Sequence, residues 1–359
     1  MNDTSSLIEP LIPELADLHD TAFTARVLAL LDNKTKPVGS LGRLEALALR
    51  IATLLGDEQP SLVQPQMLVC AGDHGLAARG VSAYPADVTW QMVHNFLSGG
   101  AAVSVLARQH GLALTVVDCG VRRDFEPQPG LLVRKVAPGT ADALLGDAMT
   151  SEQCALALRN GREIVRGLPG NALLLGEMGI GNTSSAALLL ARLADQPIAQ
   201  CVGPGTGLDA GGMHRKRELL GQVLARHAQA RTPLEVLAAF GGFEIATLVG
   251  AVLEAARQRR VIVVDGFITA AAVLVAHALA PNVVQRCVAA HESAEPGHAL
   301  MLRHLGLSPL LRLDLRLGEG SGGALAWPLL VSACAILREM ASFDTAGVSR
   351  RADESGAEA

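Results

Sequence analysis

Glu319 stands in Leu-Gly-Glu-Gly-Ser-Gly-Gly (317–323), one carboxylate among four glycines, directly after the alternating run Leu311 to Leu317. Glycine carries no Cβ, so a small molecule could approach this carboxylate and the backbone around it closely. A catalytic base would sit well there. A second carboxylate, Glu177 in Leu-Gly-Glu-Met-Gly-Ile-Gly-Asn-Thr (175–183), also follows an apolar run and is flanked by glycine. Two such turns predict one pocket at the carboxyl edge of a parallel sheet.

Other runs carry polar chemistry beside a plainer alternative. Gly179-Ile-Gly181-Asn182-Thr183-Ser184 leads into an Ala/Leu segment. Its backbone N–H groups and hydroxyls could hold a phosphate, or it could simply be an N-capped helix after a tight turn. It is not a dinucleotide fingerprint, because Ser184 replaces the last glycine and no ribose-binding acid follows. A Walker lysine is absent from the same loop. Gly203-Pro-Gly-Thr-Gly-Leu (203–208) is a second Gly-rich turn, followed by His214-Arg215-Lys216-Arg217. That basic cluster could neutralise a phosphate, but composition alone favours a solvated helix face.

His291-Glu-Ser-Ala-Glu295-Pro296-Gly-His298 invites a metal reading. The zinc-protease spacing needs His where Glu295 stands, and Pro296 blocks the helix that would align the ligands. A polar loop without metal is expected. Asp73 and His74, in Ala-Gly-Asp-His-Gly (71–75), suit either acid–base work or a turn.

The elements that must position these residues alternate through most of the chain. Strands are expected over 67–71, 113–118, 172–175, 261–264, 285–290 and 311–317, almost every one ending at Gly, Asp, Glu or His. Residues 1–60 are helical in pattern, with one helix entered at Ser40 and running to Leu55; Ala326 to Met340 reads as a closing helix. The expected architecture is α/β: a large domain over 61–325, a small one from 1–60 plus 326–345, and a disordered polar tail over 346–359.

Bulk properties agree with that class. Of 359 residues 50% are hydrophobic and only 3% aromatic, so the core must be built of Ala, Leu and Val. A net charge of −5 gives no electrostatic case for nucleic acid. The six cysteines are far apart, which predicts buried thiols in a reducing cytosol rather than zinc or disulfides. The N-terminus lacks the basic region of a signal peptide. The most membrane-like window, Val261 to Ala280, is broken by Asp265-Gly266 and reads as strand, turn and helix. A soluble protein with no membrane partner is expected.

Taken in order, Lys-Pro-Val-Gly-Ser-Leu-Gly-Arg-Leu-Glu (36–45), Ala-Gly-Asp-His-Gly (71–75), Gly-Val-Ser-Ala-Tyr-Pro (80–85) and Gly-Glu-Met-Gly-Ile-Gly-Asn-Thr (176–183) form a distinctive series. Gly-Pro-Gly-Thr-Gly-Leu-Asp (203–209), Gly-Gly-Phe-Glu-Ile-Ala (241–246) and Asp-Gly-Phe-Ile-Thr (265–269) continue it. His-Glu-Ser-Ala-Glu-Pro-Gly-His (291–298) and Leu-Gly-Glu-Gly-Ser-Gly (317–322) complete it. The series resembles the nicotinate-nucleotide:dimethylbenzimidazole phosphoribosyltransferase family of cobalamin biosynthesis over nearly the whole chain.

The resemblance implies a doubly wound, Rossmann-like parallel sheet, a smaller helical domain made from both chain ends, a homodimer and a cytoplasmic location. It implies transfer of phosphoribose from nicotinate mononucleotide to 5,6-dimethylbenzimidazole with inversion, giving α-ribazole 5′-phosphate and nicotinate, with no cofactor and no metal. Loops that grip phosphoribosyl pyrophosphate normally carry two adjacent acids at a strand end, and here only Asp265 is present. That absence suits a donor without pyrophosphate.

The resemblance makes Glu319 the base and Glu177 the neighbour of the ribose. Gly179, Gly181, Asn182, Thr183, Lys216 and Ser293 would hold the phosphate, with Gly205 shaping the site. Ser82, Tyr84, Gln91 and Leu317 would line the base pocket. Two rivals remain: the same chemistry with another aromatic acceptor such as adenine or a phenol, and a non-enzymatic nucleotide-binding protein. Two carboxylates on open turns count against the second rival, since an anionic ligand does not favour them. A dehydrogenase is weaker still.

Overall fold

The computed structural model describes residues 11–349. Four apolar runs form strands where expected: β1 (Gln66–Gly72), β2 (Ala113–Gly120), β4 (Ala172–Met178) and β5 (Val261–Val264). Between them, β3 (Leu131–Val133) was not expected, and β6 (Cys287–Ala289) closes the other edge. The order is β3-β2-β1-β4-β5-β6 and every pairing is parallel. This is a doubly wound sheet whose order reverses between β1 and β4, the place where such sheets open a crevice at their carboxyl edge.

Fully buried parallel strands need a helix layer, and the apolar helices Phe243–Arg257 and Phe267–Leu279 supply part of it. The helix Ser151–Gly167 meets Phe243–Arg257 through two glycines. A Cβ on Gly161 would lie 1.9 Å from the Thr247 carbonyl oxygen, and one on Gly250 would lie 2.0 Å from that of Leu158. Neither backbone can yield without parting the helices. Gly250→Ala is therefore expected to cost about 1–3 kcal/mol, read as a lower midpoint in urea unfolding.

Three expectations change. The segment 285–290 is extended only over Cys287–Ala289, because Pro281–Arg286 takes a tight 3-10 turn. Only Leu311–Arg312 of the run 311–317 is a strand, β8, which pairs with β7 (His291–Glu292) in a separate two-stranded sheet. Asp314 then turns into the left-handed region at φ 54°, which ends the extended run. The closing helix spans Ser321–Glu339, starting five residues before the expected Ala326. Residues 291–295 are not helical, as expected ahead of Pro296, which itself opens the next helix (Pro296–His304), since the first helical position needs no N–H.

The described residues divide into a larger unit, 11–17 and 63–327, and a smaller one, 18–62 and 328–349. In the smaller unit, Thr21–Asp32 is capped by the Asp20 side chain, and Arg43–Leu55 ends at left-handed Gly56. Lys36 pairs with Glu45 at 2.9 Å, and Arg338 bonds the Pro60 carbonyl at 2.9 Å. Of the expected tail, Ala346 ends the short helix Phe343–Ala346, and residues from 350 onward lie outside the described residues.

All six cysteines are buried thiols. Val261 to Ala280 is strand, turn and helix as expected. Among the described residues one helix, Ser321–Glu339, is long and apolar enough to cross a membrane by length and composition, and 56% of its apolar window is buried inside the protein.

Candidate active site

The carboxyl edge of the sheet opens into a cavity of about 370 Å³ within the larger unit. Glu177, Gly179, Asn182, Thr183, Gly205 and Ser293 line it, with Tyr84, Leu317 and Glu319. Segments far apart in sequence are thus brought to one place.

Glu177 is the last residue but one of β4 and is 6% exposed. The Asn182 side-chain amide donates to its Oε2 at 2.5 Å, and the Glu319 backbone N–H also donates to this carboxylate. Burial pushes its pKa up to about 8, with Asp265 and Glu244 adding like-charge repulsion. In the free protein Glu177 therefore holds a proton near neutrality, and a cationic ligand would draw it back to the carboxylate.

Glu319 has φ 66°, between Gly318 at 80° and Gly320 at 92°. A left-handed glutamate is strained and needs outside support. The Gly318 backbone presses on Glu177, where an added Cβ would lie 2.4 Å from Oε1. The Glu319 carboxylate accepts from the Val103 N–H, at the start of the helix Ala102–His110, while Oε2 is buried with no hydrogen-bond partner among the described residues. Burial first, and then the negative charge of Asp265, push its pKa up to about 7.

At the other end, Gly181 at φ 97° precedes the helix Asn182–Leu193, whose first turn borders the cavity through Asn182 and Thr183. Lys216 is 2% exposed and donates to Thr183 Oγ1 at 2.9 Å and to the Gly203 carbonyl at 3.3 Å. It lies behind the lining rather than on it. Burial lowers its pKa to about 8, opposed by the charge of Glu295. Glu295 is itself pushed up by burial, opposed by Lys216.

Ser82 and Gln91 do not line the cavity. Ser82 Oγ lies 2.9 Å from Thr206 Oγ1, a residue that does line it, and Gln91 is exposed. One helix turn apart, Val88 and Met92 present the apolar wall instead. Sequence reasoning also missed Arg316, which bonds the Gly205 carbonyl at 3.2 Å. Among the described residues lining the cavity it is the sole arginine or lysine. Its place before Leu317-Gly318-Glu319 was the available signal.

His74 stands behind Gly179, where an added Cβ would come within 3.3 Å of the imidazole. Its Nε2 is 2.7 Å from Glu244 Oε1, and its Nδ1 is 3.1 Å from Ser185 Oγ. Burial pulls the imidazole pKa down, but Glu244 outweighs it and the net value lies above 6.5. The stability this pair adds is full below pH 6.5 and drains as pH rises through the raised folded value. His74→Ala should cost about 3–5 kcal/mol at pH 6 by leaving Glu244 unpaired. The gap to the parent should narrow in alkaline buffer, as read by denaturant unfolding across pH. Asp73 serves structure, accepting from the Arg122 N–H at 2.8 Å.

A family model described as phosphoribosyltransferase matches residues 17–348. The chain belongs to that family. It is 75% identical over 340 residues to the nicotinate-nucleotide--dimethylbenzimidazole phosphoribosyltransferase of Variovorax paradoxus (strain S110), covering 95% of this chain and 97% of that protein. The protein of the same name from Cupriavidus necator is 55% identical over 340 residues, covering 94% and 98%. Among solved structures, CobT from Thermus thermophilus superposes with a TM-score of 0.88 at 46% identity, covering 92% of this chain and 99% of that one. This phosphoribosyltransferase therefore shares both fold and sequence with its relatives across nearly its full length.

Proposed function

We propose that the protein transfers phosphoribose from nicotinate mononucleotide to 5,6-dimethylbenzimidazole, with inversion at C1, giving α-ribazole 5′-phosphate and nicotinate for cobalamin assembly. The observation that carries this reading is the pair of buried carboxyl groups, Glu177 and Glu319, joined through the Glu319 N–H on one wall of the cavity. The named relatives give the substrates.

The imine nitrogen of the acceptor attacks C1 while the C1–pyridinium bond breaks, its electron pair returning to the nicotinate ring. The proton on the acceptor's other nitrogen passes to Glu319, whose pKa of about 7 suits a base at neutral pH. Glu177, ionised beside the cationic nucleotide, offsets positive charge developing at C1. No pyrophosphate leaves, so the chemistry needs neither metal nor cofactor.

The phosphate is held by the N-terminus of Asn182–Leu193 with Gly179, Gly181, Thr183 and Ser293. Lys216 supplies charge through Thr183 and beside Gly205. Arg316, bonded to the Gly205 carbonyl, adds a second cation. Tyr84, Val88, Met92 and Leu317 form the wall for the acceptor, while Ser82 anchors Thr206 and Gln91 flanks that wall. We further propose a cytoplasmic homodimer with the smaller unit as a separate domain. The buried thiols suit a reducing compartment, and exposed Leu313 suits a protein–protein contact.

The test is nicotinate release from nicotinate mononucleotide, with and without 5,6-dimethylbenzimidazole, in EDTA. Release that requires the acceptor and survives the chelator is expected. Absence of release with every aromatic base tried would reduce the protein to a nucleotide binder.

A further inference from the structure

Asp265 follows β5 and is 1% exposed, yet it carries no role in the chemistry above. Its Oδ2 accepts the Gly320 N–H at 3.1 Å, and its Oδ1 accepts the Gly323 N–H at 2.9 Å. These donors bracket the entry to the helix Ser321–Glu339, immediately after the strained Glu319. His291 Nε2 lies 3.5 Å from Oδ1 on the remaining side. With both oxygens engaged by backbone N–H groups, Asp265 is turned toward the Glu319 turn and not toward a sugar.

The turn itself has little to hold it. Three successive residues are left-handed, one of them a glutamate. Acids from two strand ends clamp it: Glu177 of β4 takes the Glu319 N–H, and Asp265 takes the next N–H along. Asp265 is also a negative charge beside the Glu319 carboxylate.

We infer that Asp265 is a positioning residue for the reaction, holding the Glu319 turn in its left-handed form and, by its charge, setting how readily Glu319 takes a proton. Hydrogen bonding accounts for the first part and like-charge repulsion for the second. The groups facing this pair are Glu177 on β4, His291 on β7, the Val103 N–H at the start of Ala102–His110, and, through Glu177, Glu244 on Phe243–Arg257. His291 is the group able to partly balance Asp265. The inference rests on Glu319 being the base.

The test compares the acid limb of kcat at saturating nucleotide, where the cationic ligand holds Glu177 ionised, in Asp265→Asn and Asp265→Glu. Asparagine is nearly isosteric and removes the charge, so the limb should move down by about one pH unit, with kcat also lowered by the lost cap. Glutamate keeps the charge but displaces it by a methylene, so the limb should stay while kcat falls. A role confined to capping the helix would lower stability or kcat and leave the limb in place in both variants, and that result overturns the inference. Unchanged kcat in Asp265→Glu would overturn the positioning part. Failure of the underlying reading shows separately, as full turnover in Glu319→Gln.

Discussion

Glu319→Gln is expected to cut turnover by about 10²–10⁴-fold while nicotinate mononucleotide still binds within a few-fold of the parent affinity. The amide keeps the size of the side chain and can still accept from the Val103 N–H, so the turn should survive. What it loses is the ability to take a proton from the acceptor. The parent rate should rise with pH through about 7 and then level, because the base must be ionised. In the variant that limb should vanish from the residual rate. Single-turnover kinetics with calorimetric binding separates the two effects, and turnover equal to the parent would remove Glu319 from the mechanism.

Lys216→Ala should act on binding instead. Removing the ammonium takes away a charge beside the phosphate and leaves Thr183 Oγ1 without its donor at 2.9 Å. Nucleotide affinity should fall about 10- to 100-fold, with kcat at saturation nearly unchanged. Lys216 also gives this affinity a pH dependence. In the free protein it loses its proton as pH rises through about 8, so parent affinity should weaken above that value. The variant should lack that decline. Equal Kd values for the two proteins at pH 7 would sink the assignment.

Much of this site is legible in the chain, because glycines beside a carboxylate at the end of an apolar run have few other uses. Glu177 and Glu319 stand out on that ground, and the strands β1, β2, β4 and β5 stand out because buried parallel strands are continuous apolar runs. Alternation misleads in Leu311 to Leu317. It suggests a half-buried strand, but only two residues find a ladder partner, and Leu313 and Leu317 are 53% and 57% exposed. The same pattern hides Arg316, which looks like the polar face of that strand. β3 offers three residues and no periodicity to detect. The early start of the last helix depends on Asp265, 58 residues before Gly323, whose carboxylate caps glycines that carry poor helix propensity. Placement of Val88 and Met92 on the wall, with Gln91 outside it, is likewise tertiary.

The buried thiols have a practical use. Burial raises the pKa of Cys154 to about 12 and those of Cys201 and Cys334 to about 11, so almost no nucleophilic thiolate is available at neutral pH. Cys70 lies well above its ordinary value for the same reason. A single cysteine introduced at Tyr84, which is 55% exposed and lines the cavity, would then be the preferred target of a thiol-directed dye in the folded enzyme. The native cysteines could stay in place, and the fluorescence of that one label would report occupancy of the cavity in real time.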